Sequence, residues 1–243
     1  MTSATNLIQS MYHDYAGSVG LDSDAKYLHG TPLRPVVPLD QGEGGLFILG
    51  AYPSARFAQI DKVTDVPVAD NLGPFESERW FDGNRIRVQP SAKELEDLFL
   101  TPLEVERTDC WITDLVKVFL FKPGHVDRYT KLKVKPPRGY TRDRFMELGE
   151  ESLPWLGREL KAARPKLVIT LGAEVAGVIQ GVRSQSAQVK LLKPEVSTMT
   201  IEGVAVEVIH CAHPGILMRR AANNPWPERH VREFLPKIKR AIA

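Results

Sequence analysis

Apolar and polar positions alternate along this chain with two different periods, and the changes of period mark out its elements. Between Ser3 and Gly20, Leu7, Ile8, Met11, Tyr12 and Tyr15 fall on one face of a helix. Gly30 to Gly45, with Pro32, Pro35 and Pro38, predicts an extended connection. Leu46-Phe47-Ile48-Leu49 is an unbroken apolar run that stops at Gly50 and Pro53, a buried strand closing in a sharp loop. From Ser54 to about Arg87 the periodicity fades and predicts a long loop, of a length that is uncommon in compact domains and often functional. Ser91-Ala92-Lys93-Glu94 has the capping-box pattern, with Leu95, Leu98 and Phe99 following at helical spacing.

Asp109 to Val118 predicts a second buried strand, and Phe121 to Tyr140 a basic stretch without periodic structure. Arg142 to Ala163 predicts one helix, or a pair kinked at Pro154. Lys166 to Gly172 is a clear strand with a short helix, Ala173 to Gln180, after it. Val196 to Ile201 and Val204 to His210 predict a hairpin, and Glu228 to Ile242 a last helix. Together these predict an α/β fold, a three-layer α/β/α sandwich around a mostly parallel sheet. Residues 1–44 are expected to form a helical extension and linker, and 45–243 one domain. In open parallel sheets ligands sit beyond the carboxyl ends of the strands. The loops Gly50-Ala51-Tyr52-Pro53-Ser54 and His210-Cys211-Ala212-His213-Pro214-Gly215 are therefore expected to face one cleft.

Composition narrows the class. With 243 residues, 43% of them hydrophobic and 26% charged, the chain can bury one large core. A formal charge of +2 permits a nucleic-acid partner without requiring one. Cys110 and Cys211 cannot form a metal-ligand cluster by themselves and are expected to be reduced. The first residues lack a signal pattern and no segment approaches span length, so a cytoplasmic protein without membrane contact is expected.

Several side chains carry candidate chemistry, each with a plainer reading beside it. Asp114 is an acid among apolar neighbours, costly to bury unless paired or used, or else a turn residue. Phe75 either stacks on a base or packs on the core, whereas Trp80 and Phe81 are expected in the core. Asp61, Asp65 and Asp70 read as solvated turn acids, with a water-activating carboxylate as the other reading. His213 is the candidate functional histidine, with His210 the structural one.

The order of these pieces resembles the uracil-DNA glycosylase superfamily. Gly50-x-x-Pro53, Pro74-Phe75, Asp114 before Val116-Lys117, Pro165-Lys166-Leu167-Val168-Ile169 with Leu171-Gly172, and His213-Pro214-Gly215 follow one another from about Gly45 to Ala243. The likeness is greatest to the iron–sulfur bacterial and archaeal classes. It implies a DNA glycosylase that flips a base from DNA and hydrolyses its N-glycosidic bond. It implies Phe75 as the platform, Asp114 as reader of the base edge and His213 as donor to the departing base. Gly50, Ala51, Pro53 and Ser54 would line the base pocket. Ile216, Leu217 and Met218 would wedge into the stack, with Pro214, Gly215, Arg219, Arg220 and Lys117 at the DNA.

Three positions depart from the pattern. Relatives carry an acid or asparagine at the second or third position of the first motif, where Ala51 and Tyr52 stand here; Tyr52 keeps a hydroxyl that can hold a water or a base. The reader, commonly asparagine, is Asp114, which accepts only when ionised and regains a donor when protonated. A cluster cysteine is replaced by Ser152, and two cysteines cannot supply four ligands, so no cluster, metal or other cofactor is expected. The expectation is a monomer acting on duplex or single-stranded DNA containing a modified base. The alternative is a nucleic-acid or nucleobase-binding protein that has lost hydrolysis, and a third reading places a free nucleoside or nucleotide in the same cleft.

Overall fold

The computed structural model describes residues 3–243. Helix α1 (Ser3–Ser18) leads through an extended segment into β1 (Leu46–Gly50). Two hairpins follow, β2 (Ala55–Ile60) with β3 (Val63–Asp70), then β4 (Arg79–Phe81) with β5 (Ile86–Val88). Helix α2 (Ser91–Leu95) runs through a π turn (Glu96–Leu100) into the single turn α3 (Thr101–Leu103). Next come β6 (Cys110–Asp114), α4 (Pro123–Lys131), α5 (Phe145–Ala163), β7 (Leu167–Leu171), α6 (Ala173–Ile179) and α7 (Gln185–Val189). The hairpin β8 (Ser197–Ile201) and β9 (Val204–Cys211) is followed by α8 (Pro214–Leu217), α9 (Trp226–Arg229), a second π turn and α10 (Leu235–Ile242).

The main sheet has the order β6-β1-β7-β9-β8, and only β8 runs antiparallel to its neighbour. Along β1 the side chains alternate between faces, as a strand requires. Phe47 and Leu49 join α1 and α5 in one core, while Leu46 and Ile48 join α2, α3 and α10 in the other. That is the expected three-layer sandwich. Because β1 is flanked by β6 on one side and β7 on the other, the chain reverses its winding direction there, and the carboxyl ends of β1 and β7 splay into a crevice.

The long loop expected after Ser54 is instead two hairpins. Asp61 and Lys62 both take positive φ in the first turn, a geometry usually announced by Asn-Gly or Asp-Gly, neither of which stands here. Phe81 is 66% exposed and does not join the core, because Trp80 takes the inward position and its indole N–H donates to the Phe57 carbonyl. Asp70 is no solvated turn acid either: it is buried, accepts from the Tyr27 hydroxyl at 2.5 Å and the Arg34 N–H at 3.0 Å, and is pushed up to about 6 by burial. The basic stretch contains a helix, α4. Pro154 lies within α5 without ending it. Helix α1 packs on α5 by Met11 and Tyr15 and shares the core of that sheet face.

Candidate active site

A cleft of about 620 Å³ opens at the carboxyl ends of β1, β6, β7 and β9. The two loops singled out in the sequence face each other across it, with Ala51, Tyr52, Pro53 and Ser54 on one side and His213 and Gly215 on the other. Asp114 and Phe75 lie between them.

Gly50 pairs in register with Asp114 on the adjacent strand, and a Cβ there would strike both the Asp114 carboxyl and the Phe75 ring. Glycine at the end of β1 is thus what lets the acid and the ring meet. Phe75 itself sits at φ 56°, a costly conformation for a bulky residue that must be held from outside. Arg107 holds it. Its guanidinium donates to the carbonyls of Pro74 and Phe75, both at 3.2 Å, and pairs with Asp40 and Glu76, both at 2.7 Å. The sequence offered no signal for this clamp, since its partners lie about 30 and 67 residues away.

Asp114 is buried at the end of β6, and burial, helped by nearby Glu159 and opposed by Lys117, pushes its carboxyl up to about 7. Lys117, expected at the DNA, is fully buried beneath this acid. Its ammonium donates to the Asp114 carbonyl and to Thr113 Oγ1, each at 2.6 Å, and pairs with Glu159 at 2.5 Å. A buried lysine with three partners supports the strand end from below and cannot reach a phosphate.

His213 Nδ1 accepts a hydrogen bond from the Gly215 N–H at 3.0 Å. Burial, and secondarily Arg219, hold its pKa below the usual range, so the ring is neutral at pH 7. With Nδ1 occupied as acceptor, the single proton resides on Nε2. His210 is the structural histidine, its two ring nitrogens held by Thr170 and Gln180. Leu217, expected in the wedge, is 4% exposed and packs in the core against the α2 face; Pro214 is buried as well. Ile216 lines the cleft and Met218 is exposed beside it, so these two remain available to enter a stack. Arg219 and Arg220 are exposed, without ion pairs among the described residues.

Further residues complete the cleft that the sequence did not single out. Arg142 stands over the Tyr52 ring, 5.0 Å from its centroid, and faces Glu174 at the start of α6. Desolvation by the cleft walls raises both the Tyr52 hydroxyl and the Glu174 carboxyl. Opposite them, Asn71 Nδ2 donates to Ser54 Oγ at 2.9 Å, and Gln89 Nε2 donates to the same oxygen. Ser91 and Glu94, at the start of α2, finish that wall.

An iron–sulfur cluster does not fit this chain. Ser152 is buried under α1, bonded to the Tyr15 hydroxyl at 2.6 Å and to the Leu148 carbonyl at 2.5 Å. Cys110 begins β6 and Cys211 ends β9, so the two thiols lie at opposite ends of the parallel strands. Among the described residues no three His, Cys, Asp or Glu side chains are grouped to hold a metal ion, and no helix is long and apolar enough to cross a membrane.

Comparison with curated proteins gives no match. The family model described as the uracil DNA glycosylase superfamily matches residues 41–236, a span that contains the whole sheet and every side chain of the cleft named above. With its parallel sheet and its cleft at the strand ends, the chain belongs to the uracil DNA glycosylase superfamily.

Proposed function

We propose that the protein is a DNA glycosylase that hydrolyses the N-glycosidic bond of a deaminated or otherwise altered base flipped out of DNA. The observation that carries this reading is the convergence of Phe75, Asp114 and the Nε2–H of His213 on one cleft. A flipped base needs a surface to stack on, a polar group at its edge and a donor for the charge that develops as it leaves. Phe75 supplies the first. Asp114 supplies the second, and with its pKa near 7 it presents an acid O–H beside an acceptor oxygen in the protonated state. That pair matches the O4 and N3–H of uracil, whereas the ionised form suits an amino-bearing base.

In the reaction the bond from C1′ to the base nitrogen breaks, and its electron pair goes to the base. His213, neutral and donating through Nε2, stabilises the resulting oxyanion without first surrendering its proton. Water adds to C1′ and its proton leaves to solvent, the base anion takes up a proton from solvent, and free base and an abasic site result. Arg142 and Arg219 at the cleft and Arg220 beside it, all exposed, would meet the phosphates.

The second reading is a binding protein without hydrolysis, favoured by Ala51 and Tyr52 in the first motif. Base release from labelled oligonucleotides bearing uracil, hypoxanthine, xanthine or mismatched normal bases separates the two. Release that disappears in His213→Ala supports the glycosylase. Binding without release from any substrate supports the second reading.

A further inference from the structure

We infer that Asn71, outside the first motif, holds the attacking water through its side-chain oxygen. The inference rests on the hydrolytic reading above and supplies the acceptor that reading lacks. Asn71 follows β3 and is only 2% exposed, yet it lines the cleft. Its Nδ2 is committed to Ser54 Oγ at 2.9 Å, and its Oδ1 has no partner within the chain. Ser54 also receives Gln89 Nε2, so two amides fix that hydroxyl and, through it, the orientation of the Asn71 amide.

Position argues for the role as well as chemistry. Ser54 belongs to the loop that closes β1, so the Asn71 amide is docked on the loop whose own residues, Ala51 and Tyr52, offer no carboxylate or amide. Four residues later the chain places Phe75 under the base, which sets Asn71 between the motif loop and the platform. Ser91 Oγ, on the same wall, is the other buried cleft oxygen without a partner among the described residues. A buried acceptor left without a partner is costly, and a water at the cleft wall would satisfy the Asn71 oxygen. Three acids line the cleft as well, Asp114 at the base edge, Glu94 on α2 and Glu174 on α6, the last two held above the ordinary carboxylate range by desolvation, whereas the Asn71 amide is bonded to the first-motif loop itself. An amide cannot take the proton of the water, so Asn71 positions the water and leaves its proton to solvent.

The test is single-turnover base release by the full-length protein and by Asn71→Ala and Asn71→Asp, beside affinity for DNA carrying a 2′-fluorinated, uncleavable lesion nucleotide. Thermal melting of each variant checks folding. Asn71→Asp keeps a partner for Ser54, which can donate to the carboxylate. The expected result is a fall of about 100-fold in release for Asn71→Ala with affinity within about twofold. Asn71→Asp is expected to release base at or above the wild-type rate at pH 8, with a new loss as pH falls through the carboxylate range. Wild-type release by a folded Asn71→Ala overturns the inference while leaving the glycosylase reading intact. Should the wild-type chain release nothing, that reading fails, and Asn71→Asp still decides this one. Release gained in the aspartate variant supports the water position, and no release in either overturns it.

Discussion

Asp114 shows function and stability in opposition at one side chain. Its carboxyl stands at about 7 in the native chain against an ordinary value of 3.8, because it is buried. Between those values the native state keeps a proton that the unfolded chain has lost, so its contribution to stability falls as pH rises through that window. Asp114→Asn is therefore expected to raise the unfolding free energy at pH 8 by on the order of a few kcal/mol, with a higher denaturation midpoint, a gain that shrinks towards pH 4. A midpoint difference independent of pH would contradict this. On the proposed glycosylase reading the same titration is expected to govern recognition. Uracil release is expected to decline as pH rises through about 7, when Asp114 loses its donor, and Asp114→Asn is expected to remove that limb from the pH–rate profile. Phe75 depends in a similar way on one other residue. Arg107→Ala removes both carbonyl contacts that hold the strained turn, and is expected to lower kcat/KM by about tenfold or more, with Phe75→Ala in the same background adding little further.

At the scale of elements, the end of β6 is held from beneath by α5. Lys117 and Glu159 pair out of water, and Glu159 also accepts from the Trp111 indole at 3.1 Å. Lys117→Met is expected to cost about 3–5 kcal/mol, since it leaves Glu159 buried without its cation. Thermal or urea unfolding reads that loss. DNA affinity of the folded variant should keep the wild-type salt dependence, because Lys117 meets no phosphate. Helix α1 reaches the same region, its Tyr15 hydroxyl accepting the Lys117 N–H at 3.0 Å while bonding Ser152. The segment expected as an extension is thus a structural support of the site. The hairpin β4–β5 shows why periodicity failed before α2: its three-residue strands turn apolar Phe81, Ile86 and Val88 outward and Trp80 and Arg87 inward, so the apolar positions do not mark the buried face.

For the whole molecule, the net charge of +2 says little about where DNA would lie. The local distribution says more. Arg142 and Arg219 line the cleft and Arg220 flanks it, whereas many other arginines are committed to ion pairs, among them Arg56 with Glu78 and Arg107 with Asp40. Each of Arg142→Ala, Arg219→Ala and Arg220→Ala is expected to weaken binding of any DNA sequence and to reduce the slope of log affinity against log salt by roughly one. Slopes equal to the wild-type value in all three would place the DNA elsewhere.

The strands of the parallel sheet, the hairpin β8–β9 and the loops that bear Gly50, Asp114 and His213 are legible in the residue pattern. Each is announced locally, by an apolar run of strand length ending at glycine, proline or a polar residue. Which charged and polar side chains line the cleft follows from the folded arrangement. Lys117 and Leu217 stand within a few residues of the motifs but turn into the core, while Gln89, Arg107 and Arg142 come from segments without any motif and Asn71 from just ahead of Pro74-Phe75. Burial and hydrogen bonding depend on partners tens of residues distant along the chain, and no local pattern of spacing records them.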